Sequence, residues 1–149
     1  MKIKTRIFGE IEIEKDKLIC FENGIIGFPD LKKFALIHDE EKENAFILWL
    51  QSMEEPDLAL PVIDPLNVMD SYEPDVSEEL FSVLGDLVKE NTYILVTITV
   101  PQNVEDMAVN LKAPIVINTG NNKAVQVIVE NDLPIKYKIY DIIKEKAGE

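Results

Sequence analysis

The chain has 149 residues, of which 28 are acidic and 15 are basic, so its formal net charge is −13 at pH 7. This length fits one domain spanning residues 1–149, and a hydrophobic content of 46% supplies enough side chains for a core. The acidity argues against direct binding of DNA or RNA, because nucleic-acid affinity comes mainly from cationic side chains. No apolar run reaches the ~18 residues of a membrane span, and no signal-peptide core follows the first residues. We therefore expect a cytoplasmic protein without membrane contact.

Short strands are predicted throughout the first half of the chain. Residues 2–14 alternate apolar and charged side chains, which predicts a hairpin with bases on one arm and acids on the other. Further strands are predicted at residues 18–21, 34–37, 45–50 and 58–63. Pro61 cannot donate a ladder hydrogen bond, so we expect the last of these strands to lie at a sheet edge or a bulge.

The single cysteine and the single histidine leave little catalytic chemistry. Cys20 cannot form an internal disulfide, and we expect it to be a small core residue. His38 lies at a strand end without a nucleophile elbow, and we expect it at the surface. A metal site built on several histidines or cysteines is excluded. We therefore expect no cofactor, and a binding protein is favoured over an enzyme.

The hydrophobic period changes after residue 75. Apolar residues then recur at steps of three and four, which predicts one helix over about residues 76–90, capped by Asp75 and ended by Asn91. Residues 92–100 are rich in β-branched side chains and predict a central strand. A helical turn at 104–107, a hairpin of 115–117 with 124–129, and a short C-terminal helix within 135–146 are predicted to follow.

These elements predict a mainly β fold. About nine or ten short strands accompany one packed helix and a short C-terminal helix, without the strand–helix alternation of parallel α/β folds. So many short strands would expose many edges, and closure into a barrel removes them. We therefore expect an antiparallel barrel-like sheet with the helix packed on an end or an open side.

Most of the net charge lies in one segment. Residues 51–90 contain 11 acidic side chains and one basic side chain, for a net charge of −10. One interpretation is a solvated acidic face that aids solubility. The other is an electrostatic surface for a basic partner, which would speed encounter and repel RNA.

Three stretches spread over much of the chain carry recognisable motifs. They are residues 21–34 (FENGIIGFPDLKKF), residues 48–52 (LWLQS) with 60–65 (LPVIDP), and residues 110–118 (NLKAPIVIN) with 124–127 (AVQV). With the length and the acidity, they resemble the FliW family of bacterial flagellar assembly factors. Leu60-Pro61 departs from the family pattern, which more often has an aromatic residue followed by a small β-branched one, and this affects local packing.

The resemblance implies a non-enzymatic regulator with a β-barrel-like fold. Family members bind newly made flagellin and also bind CsrA, an RNA-binding translational repressor. When flagellin is scarce, the free protein would capture CsrA and relieve repression of flagellin translation. Accumulated flagellin would sequester it and release CsrA. The acidic segment, docked beside a basic RNA-binding surface, would repel RNA without occupying the RNA site, which favours allosteric or electrostatic antagonism.

Candidate partner-binding residues lie in and around the acidic segment. They are Gln51, Ser52, Glu54, Glu55, Asp57, Asp64, Asp70, Glu73 and Asp75. Some also have a structural interpretation, since Asp64 precedes a proline as turn formers do and Asp75 is a good helix cap. Two other functions remain open: a flagellin chaperone without CsrA contact, and an enzyme or small-ligand carrier with carboxylates at the barrel mouth.

Overall fold

A computed structural model describes residues 2–38, 47–74, 79–85 and 88–146. The strands are β1 (Lys2–Thr5), β2 (Gly9–Glu12), β3 (Ile19–Phe21), β4 (Lys33–His38), β5 (Ile47–Ser52), β6 (Ala59–Ile63), β7 (Thr92–Thr99), β8 (Ala108–Val109), β9 (Ile115–Asn118), β10 (Lys123–Gln126) and β11 (Tyr137–Lys138). The helices are α1 (Glu79–Leu84) and α2 (Tyr140–Lys146), and 3₁₀ turns lie at Lys15–Lys17, Pro65–Asn67, Lys89–Asn91 and Val104–Asp106.

Seven of the strands close into a barrel, as the sequence predicted. Going round the barrel, the order is β3, β4, β5, β6, β7, β9, β10 and back to β3. Every pairing in this ring is antiparallel except the one between β10 and β3, which is parallel. That parallel pair registers Lys123 with Cys20 and Ala124 with Phe21. It closes the sheet along these two residue pairs.

Three apolar clusters follow from the alternation of side chains along the strands. Val62 and Leu95 face the barrel interior, where Phe21 and Phe34 pack edge to face with their ring centroids 5.3 Å apart. Their neighbours Ile63 and Val96 face outward into a second cluster, which the segment after β6 and the C-terminal part of the chain cover. A third cluster lies outside β9 and β10, where α1 packs through Leu84.

The N-terminal hairpin forms with the predicted pairing of charges. β1 and β2 are antiparallel and place Lys2 opposite Glu12 and Lys4 opposite Glu10. Opposite charges at facing positions each contribute roughly 0.2–1 kcal/mol, so this part of the charge serves the fold.

The predicted helix over about residues 76–90 is longer than the observed one. α1 ends at Leu84, because Gly85 follows with φ of +82°, the left-handed conformation that commonly ends a helix. Lys89–Asn91 forms a separate 3₁₀ turn. The predicted cap, Asp75, lies outside the described residues.

Two other expectations are wrong. Cys20 is exposed, because it alternates with Ile19 and Phe21, whose side chains face the core. β6 pairs with both β5 and β7, so it is not an edge strand. Pro61 is tolerated because its nitrogen does not face β5. The Ser52 N–H donates to the Leu58 carbonyl, and since backbone groups alternate in direction along an antiparallel ladder, those of residue 61 point away from β5. Pro61 lies before the ladder to β7, which registers residues 62 and 63.

The sequence also missed two strands, β8 and β11, which have two residues each and therefore carry no periodic signal. In the described part of the chain, no helix is long and apolar enough to cross a membrane.

Candidate partner-binding surface

The strands divide the predicted binding residues between two ends of the barrel. β5 and β6 are antiparallel, and the loop between them, residues 53–58, lies at the end of the barrel where β4 begins. We call residues 53–58 the acidic loop. Asp64 follows β6 and therefore lies at the opposite end. The nine predicted residues do not form one continuous site.

Gln51 holds the acidic loop from inside. Its side chain is fully buried, and its Nε2 donates to the carbonyls of Ser52, Pro56 and Leu58 at 2.9, 3.2 and 3.1 Å. Its Oε1 has no hydrogen-bond partner among the described residues. The side chain cannot reach a partner, so any contribution that it makes to binding acts through the shape of this loop.

Ser52 and Glu54 hold the same loop from its two sides. The Ser52 hydroxyl accepts hydrogen bonds from the backbone N–H groups of Glu54 and Glu55, at 3.1 and 2.9 Å. Glu54 Oε1 in turn accepts from the backbone N–H groups of Lys32 and Lys33, at 2.6 and 2.8 Å. The Glu54 carboxylate therefore joins the acidic loop to the segment that leads into β4.

These bonds make the stability of the protein depend on the charge of Glu54. The backbone N–H of Lys32, then that of Lys33, hold the pKa of the Glu54 carboxyl below its ordinary value of 4.5. The depressed pKa contributes stability that is present above the unfolded pKa and is lost as pH falls through the folded pKa. Wild type should therefore have a higher Tm than Glu54→Gln at pH 7, and this difference should shrink as the pH falls below 4.5.

Thermal denaturation of both proteins between pH 7 and pH 3 measures this change. Glu105→Gln, at an exposed position outside the loop, is the control for the loss of one charge. A Tm difference between wild type and Glu54→Gln that stays constant across this pH range would contradict the role of the ionised carboxylate.

Glu55 and Asp57 point outward from the acidic loop and are exposed. The turn of the β1–β2 hairpin supports this loop, because the Arg6 N–H donates to the Pro56 carbonyl at 3.2 Å and Arg6 Nε to the Asp57 carbonyl at 3.5 Å. These bonds use the backbone carbonyls of the loop, and both carboxylates face solvent, although Glu55 Oε1 also accepts the Asp57 N–H at 3.5 Å.

Asp64 has a structural role at the opposite end. Its Oδ1 accepts the Leu66 N–H at 2.9 Å and caps the 3₁₀ turn Pro65–Asn67, in agreement with its interpretation as a turn former. Burial, and secondarily the negative charge of Asp64, raise the pKa of Tyr93. Tyr93 and His38 line a cavity of about 460 Å³ at this mouth of the barrel. Within the described ranges, no group of three or more acidic, histidine or cysteine side chains could hold a metal ion.

Asp70 and Glu73 lie on the segment that covers the second apolar cluster, and both are exposed. This segment is anchored by Tyr72, whose hydroxyl donates to the Leu111 carbonyl at 2.6 Å, and by Asn131, whose Nδ2 donates to the Glu73 carbonyl at 3.4 Å. Both carboxylates are therefore displayed on an ordered backbone.

An exposed apolar groove is a feature that the sequence did not locate. It lies between residues 23–29 and residues 125–128, at the same end of the barrel as the acidic loop, and its volume is about 600 Å³. We call it the groove. The sequence offered only a weak signal, namely two adjacent isoleucines between glycines and Ile128 within the largely apolar run 124–129.

Comparisons with known proteins agree on one family. The sequence model of the family described as FliW protein matches residues 2–139. The chain is 45% identical to the flagellar assembly factor FliW of Lachnoclostridium phytofermentans, covering 99% of this chain and 96% of that protein. It is 46% identical to the flagellar assembly factor FliW of Lachnospira eligens, covering 99% of this chain and all of that protein. A crystal structure of the flagellar assembly factor FliW superposes with a TM-score of 0.86 at 31% identity, covering 94% of this chain and 97% of that one.

Proposed function

Because the chain belongs to the FliW family of flagellar assembly factors, we propose that it acts in the cytoplasm as a non-enzymatic switch between two protein partners. It binds newly made flagellin, and it binds the RNA-binding repressor CsrA when flagellin is scarce. Binding of CsrA relieves repression of flagellin translation, and accumulating flagellin reverses this. Flagellin synthesis is thereby coupled to flagellin export.

The observation that supports the CsrA contact is a set of exposed acidic side chains that form no ion pair with a described residue. Glu55, Asp57, Asp70 and Glu73 are exposed, and none of them forms an ion pair with a residue that the structure describes. Uncompensated carboxylates of this kind create a negative potential that attracts a basic surface and repels RNA phosphate. The antagonism therefore needs no overlap with the RNA site.

Two charge-matched variants test this role of the acidic side chains. Glu55→Gln/Asp57→Asn removes two charges from the acidic loop, whereas Glu105→Gln/Glu145→Gln removes two charges from exposed sites elsewhere. We expect the loop variant to weaken binding of CsrA from the same organism by about tenfold at low salt, which corresponds to about 1.4 kcal/mol. The control variant should bind within about twofold of wild type, because its charges lie outside the proposed contact.

Calorimetric titration at low and at moderate salt, repeated after addition of the cognate flagellin, measures these affinities. Wild-type affinity should fall as salt rises, and flagellin should weaken or abolish CsrA binding. Equal losses of CsrA affinity in both variants would show that the acidic side chains only keep the protein soluble. Binding of flagellin without any binding of CsrA would leave a flagellin chaperone, which is the alternative function.

A further inference from the structure

The chain beyond β10 continues as an extended strand whose backbone groups alternate in direction. The Val127 N–H donates to the Pro114 carbonyl at 3.1 Å, and the Val129 N–H donates to the Lys112 carbonyl at 2.9 Å. Residues that share an antiparallel ladder turn their N–H and C=O groups alternately toward and away from the neighbouring strand. The N–H and C=O groups of Gln126 and Ile128 therefore point away from β9 and into the groove.

No strand occupies that side of the segment. The parallel pairing with β3 ends at Ala124 and Phe21, after which the chain from β3 turns away at residues 22–23. Ile128 forms no backbone hydrogen bond within the described ranges, and Gln126 lies beyond Ala124, the last residue of β10 that pairs with β3. The barrel thus has a short open edge at the point where its closing pair of strands separates, and this edge is the wall of the groove.

The side chain of Gln126 joins the two walls of the groove. Gln126 Oε1 accepts the Ile26 N–H at 2.9 Å, and its Nε2 donates to the Ala113 carbonyl at 3.1 Å. This side chain fixes the distance between the loop 23–29 and the strand. Ile128 and Ile26 line the groove with 70% and 52% of their surface exposed, which is unusual for large apolar side chains. Phe28, in the same loop as Ile26, is 41% exposed.

The two segments that border the groove carry acidic side chains. These segments, residues 22–30 and 125–132, contain four acidic residues and no basic residue. The acids are Glu22, Asp30, Glu130 and Asp132, all exposed. Glu22 pairs with Lys123 at 3.6 Å, whereas the other three form no ion pair with a residue that the structure describes. A second copy of this chain would bring the same charges together, whereas a segment with basic residues beside its apolar ones would find complementary charge.

We propose that the groove binds an extended peptide segment, carrying apolar side chains flanked by lysine or arginine, as an added strand on Gln126 and Ile128. The unpaired backbone groups supply the ladder, and the exposed apolar side chains contact alternate residues of the peptide. This docking mode is independent of the flagellin and CsrA contacts proposed above.

A synthetic peptide tests the proposal on the full chain. The probe is acetyl-Arg-Val-Thr-Val-Thr-Val-Arg-amide, titrated into isotope-labelled protein while backbone amide shifts are followed by NMR. We expect saturable shifts that are largest at Gln126 and Ile128 and smaller at Val127 and Val129, whose N–H groups are already bonded. The same peptide with glutamate in place of both arginines should bind at least ~10-fold more weakly because of the acidic border.

Two variants distinguish binding through backbone hydrogen bonds from nonspecific hydrophobic binding. Ile128→Pro removes one groove-facing N–H and none of the native bonds, so it should abolish the shifts at Gln126 while Ile128→Ala only weakens binding. A probe peptide methylated on its alternate backbone nitrogens tests the same bonds with the protein unaltered, and it should not bind even if the proline variant fails to fold.

The proposal is overturned if the probe binds elsewhere, if it does not bind, or if the methylated peptide binds equally well. It is also overturned if the free chain self-associates through these same amides, because the occupant would then be a second copy.

Discussion

Replacing Gln51 by alanine is expected to lower the free energy of unfolding by about 3 kcal/mol, a large fraction of the stability of a domain this size. The two N–H groups of the Gln51 amide are shared among three carbonyls, those of Ser52, Pro56 and Leu58, from a fully buried position. Each lost bond costs roughly 0.5–1.5 kcal/mol, and truncation of a buried side chain adds a cavity. Urea unfolding followed by tryptophan fluorescence measures the change, since Trp49 lies two residues away on β5.

Gln51→Met is the matched control, because it keeps most of the volume and removes the donor. We expect Gln51→Met to leave no cavity but to lack the hydrogen bonds, so it should lower the free energy of unfolding by about 2 kcal/mol. If Gln51→Ala kept the stability of wild type and yet bound CsrA or flagellin more weakly, Gln51 would contact the partner directly.

Gly24→Ala should destabilise the protein by a similar amount, about 3 kcal/mol, and should distort the loop that borders the groove. Gly24 has φ of +67°, and an added Cβ would lie 2.5 Å from the carbonyl oxygens of Phe28 and Pro29. Both neighbours are backbone atoms in a loop closed by the hydrogen bonds between Ile25 and Phe28. They cannot move without breaking those bonds.

Gly27→Ala provides the comparison within the same loop. Gly27 also has positive φ, at +90°, but an added Cβ would meet nothing within 4 Å. Its cost should be that of backbone strain alone, about 1–2 kcal/mol, so the difference between the two variants measures the steric contact. Chemical denaturation of both variants measures this difference. Equal losses of unfolding free energy would show that the close contact at Gly24 does not affect stability.

Local pattern was sufficient to predict most strands but not how they meet. Alternation gave the β1–β2 hairpin and the interior strands, because period-two patterning reports which side chains share a face. The pairing of β3 with β10 joins distant parts of the chain and leaves no local trace. The helix was predicted too long because its apolar period continues past Gly85, although the backbone there is left-handed.

The candidate site was less predictable for the same reason. Glu55, Asp57 and Asp64 are close in the chain, but β6 carries Asp64 to the other end of the barrel. Whether an acidic side chain is free or already bonded also depends on tertiary contacts. The Glu54 carboxylate accepts from the backbone of Lys32 and Lys33, which lie about twenty residues earlier, whereas among the described residues Glu55 beside it accepts only from Asp57 in its own loop.

The parallel seam between β3 and β10 sets the order in which the chain can fold during its synthesis. β3 emerges from the ribosome early, and β4 can pair with one of its edges as soon as it follows. The other edge must wait until Lys123 and Ala124 have been made, because they are its only barrel partners among the described residues. Barrel closure is therefore one of the last steps of biogenesis, and the nascent chain carries an open edge through most of translation.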